Sequence, residues 1–130
     1  MTGEAADLGR SLDAFFDEVK GVTDIVVISD NGLCIAARSQ LLPDDIDRMA
    51  ANLSMLHALT TGAAEYLGGH TVLHTAVQSK NGYLAMMRAD GRILVAVIAD
   101  RSCDIGQVVY ELSRLCDHIA ATRRPDDSAR

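Results

Sequence analysis

The stretch from Met49 to Ala64 contains no charged residue, although 23% of the chain is charged, and this gap limits how the chain can fold. It lies in a segment that begins with Pro43 and ends at Gly68-Gly69, which are typical helix boundaries. A helix without a charged face has to be covered on both sides. The core of the same chain can cover one side, and the other side needs a second chain or a second layer. The alternative is a central helix inside a monomeric domain, for which a chain of this length has few other elements.

A helical wheel separates this segment into two stripes of different character. At about 100° per residue, mostly large apolar residues that suit a sheet fall on one stripe: Ile46, Met49, Leu53, Leu56, Thr60, Ala64 and Leu67. The opposite stripe is mostly small and consists of Ala51, Met55, Ala58 and Gly62. Small residues let two backbones approach closely, and apolar burial at Met55 and the flanking Leu59 would drive association. We therefore predict a homodimer with these residues at its interface.

Composition excludes several classes of protein. The formal net charge is −6 and aromatic residues make up only 4% of the chain, so a basic or base-stacking face for nucleic acid is not expected. No apolar stretch approaches the roughly 20 residues of a membrane span, and the polar start lacks the pattern of a signal peptide. Three widely spaced cysteines, Cys34, Cys103 and Cys116, indicate reduced thiols. We expect a cytoplasmic protein.

Apolar periodicity and turn residues predict three helices and five strands. The first helix runs from Leu8 to just before Gly21, and the last begins at Ser102 or Asp104 and reaches about Thr122. The strands are expected at 24–29, 33–38, 71–79, 83–88 and 92–99, joined in pairs by Asn-Gly or Asp-Gly turns. We expect the Asn-Gly at 31–32 to take the positive φ of a two-residue hairpin.

The simplest packing of these parts is a sheet of five antiparallel strands with helices on both faces. The predicted fold class is therefore α/β, of the α+β kind. The segment 93–98 (ILVAVI) is apolar throughout and is therefore placed at the centre of the sheet. Residues 71–79 are placed at an edge that pairs with its twin, which adds Val72, His74 and Thr75 to the predicted dimer interface. The predicted domain covers 8–122, with a flexible start at 1–7 and a polar tail at 123–130.

The order of these elements resembles the roadblock/LC7 family over nearly the whole chain, from about Leu8 to Ala121. The resemblance rests on the first helix ending in Gly21-Val22, the strand pair DIVVISDNGLCIAAR, the small-residue helix, the meander NGYLAMMRADGRILVAVIA and the closing helix after DIGQVVYEL. In detail the chain is most similar to short single-domain roadblock proteins of actinobacteria. Those are typically encoded beside a small Ras-like GTPase and a histidine-kinase-like protein.

The resemblance implies a five-stranded sheet with the long helix on one face and the two terminal helices on the other. It also implies a homodimer with paired long helices and sheets joined edge to edge. Some bacterial relatives activate a partner GTPase by reshaping its switch regions, without inserting a catalytic arginine. By this resemblance the partner is a small Ras-like GTPase, with a histidine-kinase-like protein as a further candidate.

Catalytic and cofactor motifs are absent from the sequence, and we predict no enzyme activity and no cofactor. There is no GxxxxGK[ST] loop and no G-x-S-x-G elbow. His70 and His74 on one strand would stand about 13 Å apart, too far for one zinc ion. Cys103 near a helix start is a candidate reactive thiol, although a plain capping-region residue is favoured. His57 is expected to be a satisfied, partly buried residue rather than a pH switch.

Charged groups remain at the two ends of the long helix. Asp44, Asp45, Asp47 and Arg48 lie at its start, and Glu65 lies near its end. We predict that these residues form the margin of a GTPase-docking surface across two antiparallel helices. Pairing of Arg48 with Asp44 or Asp45 is favoured over a role as an arginine finger. The other hypotheses are a dimeric scaffold that is indifferent to nucleotide, and a small ligand-binding domain.

Overall fold

The computed structural model describes residues 2–129, with side chains over 6–122. Its elements are α1 (Thr2–Glu18), β1 (Val22–Ser29), β2 (Cys34–Arg38), α2 (Pro43–Ala64), a 3₁₀ turn (Glu65–Leu67), β3 (Thr75–Ser79), β4 (Gly82–Asp90), β5 (Ile93–Asp100) and α3 (Ile105–Ala129). The strands form one antiparallel sheet in the order β2-β1-β5-β4-β3. The apolar strand β5 is therefore central, as its sequence predicts.

Alternation along the strands divides the core into two layers, one on each face of the sheet. Side chains such as Ile25, Val95 and Val97 pack against Leu12 of α1 and Leu112 of α3. The intervening strand positions face α2 and form a smaller cluster with Ala50 and Leu53 of that helix. The strand residues of this cluster are Val26, Ile28, Met86, Leu94 and Ala96. The expected arrangement, with the long helix on one face and the terminal helices on the other, is confirmed.

The helices and one strand differ from the expected boundaries. Residues 2–7, predicted as a flexible start, belong to α1, and α3 continues past Thr122 into the predicted polar tail. Met1 and Arg130 lie outside the described residues. Residues 71–74, predicted as strand, carry no strand pairing. The ladder of β3 begins only at Thr75, opposite Met86, and a bulge between Arg88 and Asp90 increases the twist of β4 beyond that point.

The first hairpin also differs from expectation. Gly32 donates its N–H to the Ser29 carbonyl at 3.0 Å, and Ser29 donates to the Leu33 carbonyl at 2.8 Å. Only Gly32 of this loop has a positive φ, at 82°, so the connection has three residues rather than two. A type I turn followed by a left-handed glycine gives this geometry, and Asn31 keeps an ordinary backbone conformation.

No helix among the described residues combines the length and the apolar character that crossing a membrane requires.

Candidate interaction surface

The inward face of α2 packs against the sheet as the wheel predicts. Leu53 is buried, and Ile46, Met49 and Leu56 lie partly buried against the same cluster. Leu67 was placed on this stripe, and that prediction is wrong because its side chain is 90% exposed. The α-helix stops at Ala64, and the chain then passes through a 3₁₀ turn that Gly68 ends with a φ of 94°. The change of helix type rotates Leu67 out of the stripe.

The outward face of α2 is bare in the single chain. Met55 is 60% exposed and Leu59 is 73% exposed, and Ala51, Ala58 and Gly62 are exposed beside them. The part of the chain that the structure describes supplies no second layer on this side. The alternative of a central helix covered on both sides within one monomeric domain is therefore wrong.

The bare face continues along the chain beyond the helix. Tyr66, Leu67, Leu73 and Val77 are all exposed apolar side chains on the segment from the 3₁₀ turn to β3. Together with Met55 and Leu59 we call them the α2–β3 surface. Tyr66 and Leu73 are not among the interface residues predicted from the sequence. Large apolar residues on both sides of Gly68-Gly69 are the sequence signal that could have indicated them. Exposed apolar residues gathered in this way are typical of an interaction site.

The two edges of the sheet differ in their capacity to pair with another strand. The register of β3 runs without interruption from Thr75–Met86 to Ser79–Gly82, and its other side is unpaired. On β2, Ile35 is an extra residue between the pairs Ile28–Cys34 and Val27–Ala36. Bulges of this kind protect edge strands from pairing. The open edge is thus β3, and its predicted position at the edge of the sheet is confirmed.

The three interface residues predicted from segment 71–79 occupy different environments. Val72 is half-buried and lines a cleft with His57, and His74 is exposed just before the strand. Thr75 is the first residue of β3, and its Oγ1 is buried without a hydrogen-bond partner among the described residues. Only Thr75 therefore lies on the strand edge itself.

His57 is the buried polar residue of α2. It is 8% exposed, and its Nδ1 has no hydrogen-bond partner among the described residues, whereas the sequence predicts a satisfied histidine. Burial lowers the pKa of His57, and the positive charge of Arg88 lowers it further. Both side chains line a cleft of about 320 Å³, together with Ser29, Asp30, Ser54, Ala58, Thr61 and Leu94. Ala58, which belongs to the outward face, therefore lines the same cleft as His57.

This pKa shift predicts a pH-dependent stability. As the pH falls below the ordinary histidine pKa of 6.5, His57 is protonated in the unfolded chain while it stays neutral in the folded chain. The contribution of His57 to the free energy of unfolding therefore has its full value above pH 6.5. It decreases as the pH falls toward the lower pKa that His57 has in the folded chain. Urea unfolding at a series of pH values measures this slope. We expect His57→Gln to reduce the change of the free energy of unfolding with pH. His118→Gln, at an exposed position, should leave that change as it is in the wild type. Equal pH dependence in the wild type and both variants would contradict the assignment of this effect to His57.

The charged ends of α2 form two separate clusters. Arg48 donates to Asp45 at 3.0 Å, which confirms the favoured interpretation of this arginine as an ion-pair partner. Glu65 lies 3.3 Å from His70 at the other end. The 22 residues of α2 span roughly 33 Å, so one copy does not bring these clusters together.

The described residues contain no group of three or more side chains that could together hold a metal ion. Burial and the nearby carboxylates of Asp100 and Asp104 raise the pKa of Cys103, which favours a plain thiol over a reactive one. Burial raises the pKa of Cys116 to about 12. Asp104 instead caps α3, accepting the N–H of Gln107 at 3.2 Å.

Comparisons with known proteins agree with this fold. A family profile described as the Roadblock/LC7 domain matches residues 9–99. A Roadblock/LC7 domain structure from Streptomyces avermitilis is 27% identical with a TM-score of 0.81, covering 88% of this chain and 96% of its own. MglB from Myxococcus xanthus is 17% identical with a TM-score of 0.81, covering 89% and 94%. A structure described as MglB with a tetrameric arrangement is 19% identical with a TM-score of 0.83, covering 91% and 88%. No curated protein sequence matches the chain.

Proposed function

Because this chain belongs to the Roadblock/LC7 family, we propose that it is a non-enzymatic, homodimeric interaction module that binds and regulates a small Ras-like GTPase. Regulation here means activation, recruitment or localisation of that GTPase. The observation that carries the proposal is the uncharged outward face of α2, which the single chain leaves exposed. We place the module in the cytoplasm, in keeping with its three free cysteines.

The α2–β3 surface supports association with a second copy. Exposed apolar side chains are costly in water, and a two-fold partner would cover the same set on both copies. The small residues Ala51, Ala58 and Gly62 allow two α2 helices to approach closely. The unpaired edge of β3 can add a strand from the twin chain, while the bulged β2 edge cannot do so as readily. The tetrameric arrangement described for MglB is an example of assembly by the same fold.

The proposed GTPase-binding surface requires this dimer. If the two α2 helices run antiparallel, Asp45, Asp47 and Arg48 of one copy approach Glu65 of the other. An apolar floor with a charged margin is the usual composition of a recognition interface. The GTPase partner itself comes from the family resemblance, which also makes a histidine-kinase-like protein a candidate partner.

A capture experiment tests this function. The immobilised protein is mixed with the Ras-like GTPase encoded nearest to its gene, loaded either with GDP or with a non-hydrolysable GTP analogue. Capture that prefers one nucleotide form is expected for a regulator. Equal capture of both forms would instead favour the nucleotide-indifferent scaffold, and no capture of either would contradict the proposal.

Reversing charge at the start of α2 is expected to weaken capture. In Asp45→Lys/Asp47→Lys, margin contacts with the GTPase are lost and the association rate at low salt falls, by roughly tenfold or more. Loss of the exposed Asp45–Arg48 pair costs only about 0–1 kcal/mol of stability, so folding and dimerisation are retained.

The matched control for this variant is Asp17→Lys/Glu18→Lys, which makes the same change in net charge at exposed positions of α1. Biolayer interferometry at low and moderate salt compares the two variants with the wild type. If the α2 variant binds as fast as the α1 control, the docking surface lies elsewhere.

A further inference from the structure

A second apolar surface lies at the opposite edge of the sheet from the α2–β3 surface. Leu33 and Ile35 on the β2 side are 63% and 44% exposed, and Leu41 and Leu42 in the following loop are 44% and 70% exposed. We call these four residues the β2 patch. Three strands, β1, β5 and β4, separate β2 from β3, so one partner copy on β3 leaves the patch uncovered.

The bulge in β2 disfavours strand addition as the way this patch is filled. Ile35 is the bulged residue of the edge strand and has no partner in the β1 register. Arg38 at the end of β2 donates to Asp13 at 2.7 Å, and its guanidinium lies 4.4 Å from the centre of the Phe16 ring. These contacts hold the Arg38 side chain against α1. An occupant has to dock through its side chains rather than through a backbone ladder.

The carboxylates next to the β2 patch outnumber the cations there, although Arg88 lines the same cleft as Asp30. Asp30 lies in the turn before Leu33, Asp44 follows Leu42, and the negative charge of Asp47 raises the pKa of Cys34 on β2. Among the described residues these three carboxylates form no ion pair, whereas Arg38 and Arg48 are paired with other acids. A second copy would present the same acidic margin to itself, which opposes self-association through this face.

We infer that the β2 patch binds a basic, amphipathic helical segment of another protein. The apolar stripe of such a helix covers the exposed leucines, and its lysines or arginines face the three carboxylates. The five residues of β2 span roughly 17 Å, which corresponds to about three helical turns. This site goes beyond the proposed GTPase role, although Asp44 and Asp47 also belong to the proposed margin of the GTPase-binding surface, and binding at the patch does not require the dimer.

The probe is a fluorescent helical peptide of about 14 residues with leucines on one face and lysines on the other. Fluorescence anisotropy with the full chain is expected to show saturable binding that weakens with added salt. Leu33→Ser/Leu42→Ser is expected to weaken binding by roughly tenfold or more, since both side chains lose apolar contact. Asp30→Asn/Asp44→Asn is expected to reduce the salt dependence. The matched control Tyr110→Ser, which changes an exposed apolar residue on α3, keeps the wild-type affinity.

Several results would overturn the inference. Among them are no binding of the peptide, equal weakening in the Tyr110 control, and equal binding of a peptide with glutamate in place of lysine. Equal binding of a peptide with the same composition but no apolar stripe would also do so. If light scattering shows that Leu33→Ser/Leu42→Ser lowers the oligomeric state, the patch is a contact between copies. A monomeric wild type with normal peptide binding would contradict the proposed dimer and leave this inference standing.

Discussion

Replacing Ala58 with glutamate is expected to convert the proposed homodimer into folded monomers. Ala58 is exposed in the single chain, so the monomer accommodates a longer charged side chain in water. In the dimer the same side chain would be an unpaired charge in an apolar interface, once from each copy. An uncompensated buried charge costs about 3–5 kcal/mol. With one such charge from each copy, the dissociation constant should therefore rise by at least roughly two orders of magnitude.

Light scattering coupled to size-exclusion chromatography at micromolar concentration measures this change, and circular dichroism confirms that the variant is folded. Ala14→Glu is the matched control, because Ala14 is an exposed alanine on α1, away from the proposed interface. We expect the control to remain dimeric. A wild-type monomer, or an Ala58→Glu variant as dimeric as the control, would rule out pairing through the outward face of α2.

Much of the fold could be predicted because its signals are local and repeated. Strand β5 is apolar at consecutive positions from Ile93, which only a central, doubly covered strand accommodates. The sheet-facing stripe of α2 follows from the helical period alone. Both patterns depend on which side chains can leave water, and a single sequence contains that information.

The features that could not be predicted depend on tertiary geometry. Leu67 continues the stripe of α2 in sequence, yet the helix changes type before it. Residues 71–74 have strand-like composition but carry no strand pairing, and the β3–β4 ladder begins only at the Thr75–Met86 pair. Register is set by the partner strand, and composition does not reveal where a ladder begins.

The candidate site divides in the same way. The small-residue face of α2 was visible in the wheel, whereas Tyr66 and Leu73 join it only through the path of the chain after Gly68. The unpartnered Nδ1 of His57 was not foreseen, since a wheel gives the direction of a side chain and not its hydrogen bonds. The contrast between the open β3 edge and the bulged β2 edge likewise needs the register of both strands.

Proline substitutions in β3 are expected to distinguish the N–H groups that bond to β4 from those that face the open edge of the sheet. Successive N–H groups of a strand point in opposite directions, so one of Thr75 and Ala76 donates toward β4 and the other toward the open edge. Proline at the inward position removes a bond of the β3–β4 ladder and lowers the free energy of unfolding. Proline at the outward position leaves the fold intact and removes one bond from each copy at the proposed dimer interface.

Because two hydrogen bonds are lost per dimer, the outward variant should weaken association by about 1–3 kcal/mol, or roughly 5- to 150-fold. Urea unfolding of Thr75→Pro and Ala76→Pro identifies the inward position, and sedimentation velocity over a range of concentrations measures dimerisation of the other. Ile35→Pro on the bulged β2 edge is the matched control and is expected to keep the wild-type dimer affinity. If the outward β3 variant dimerises as tightly as this control, the two chains do not join through β3, and pairing of the α2 helices alone has to account for the dimer.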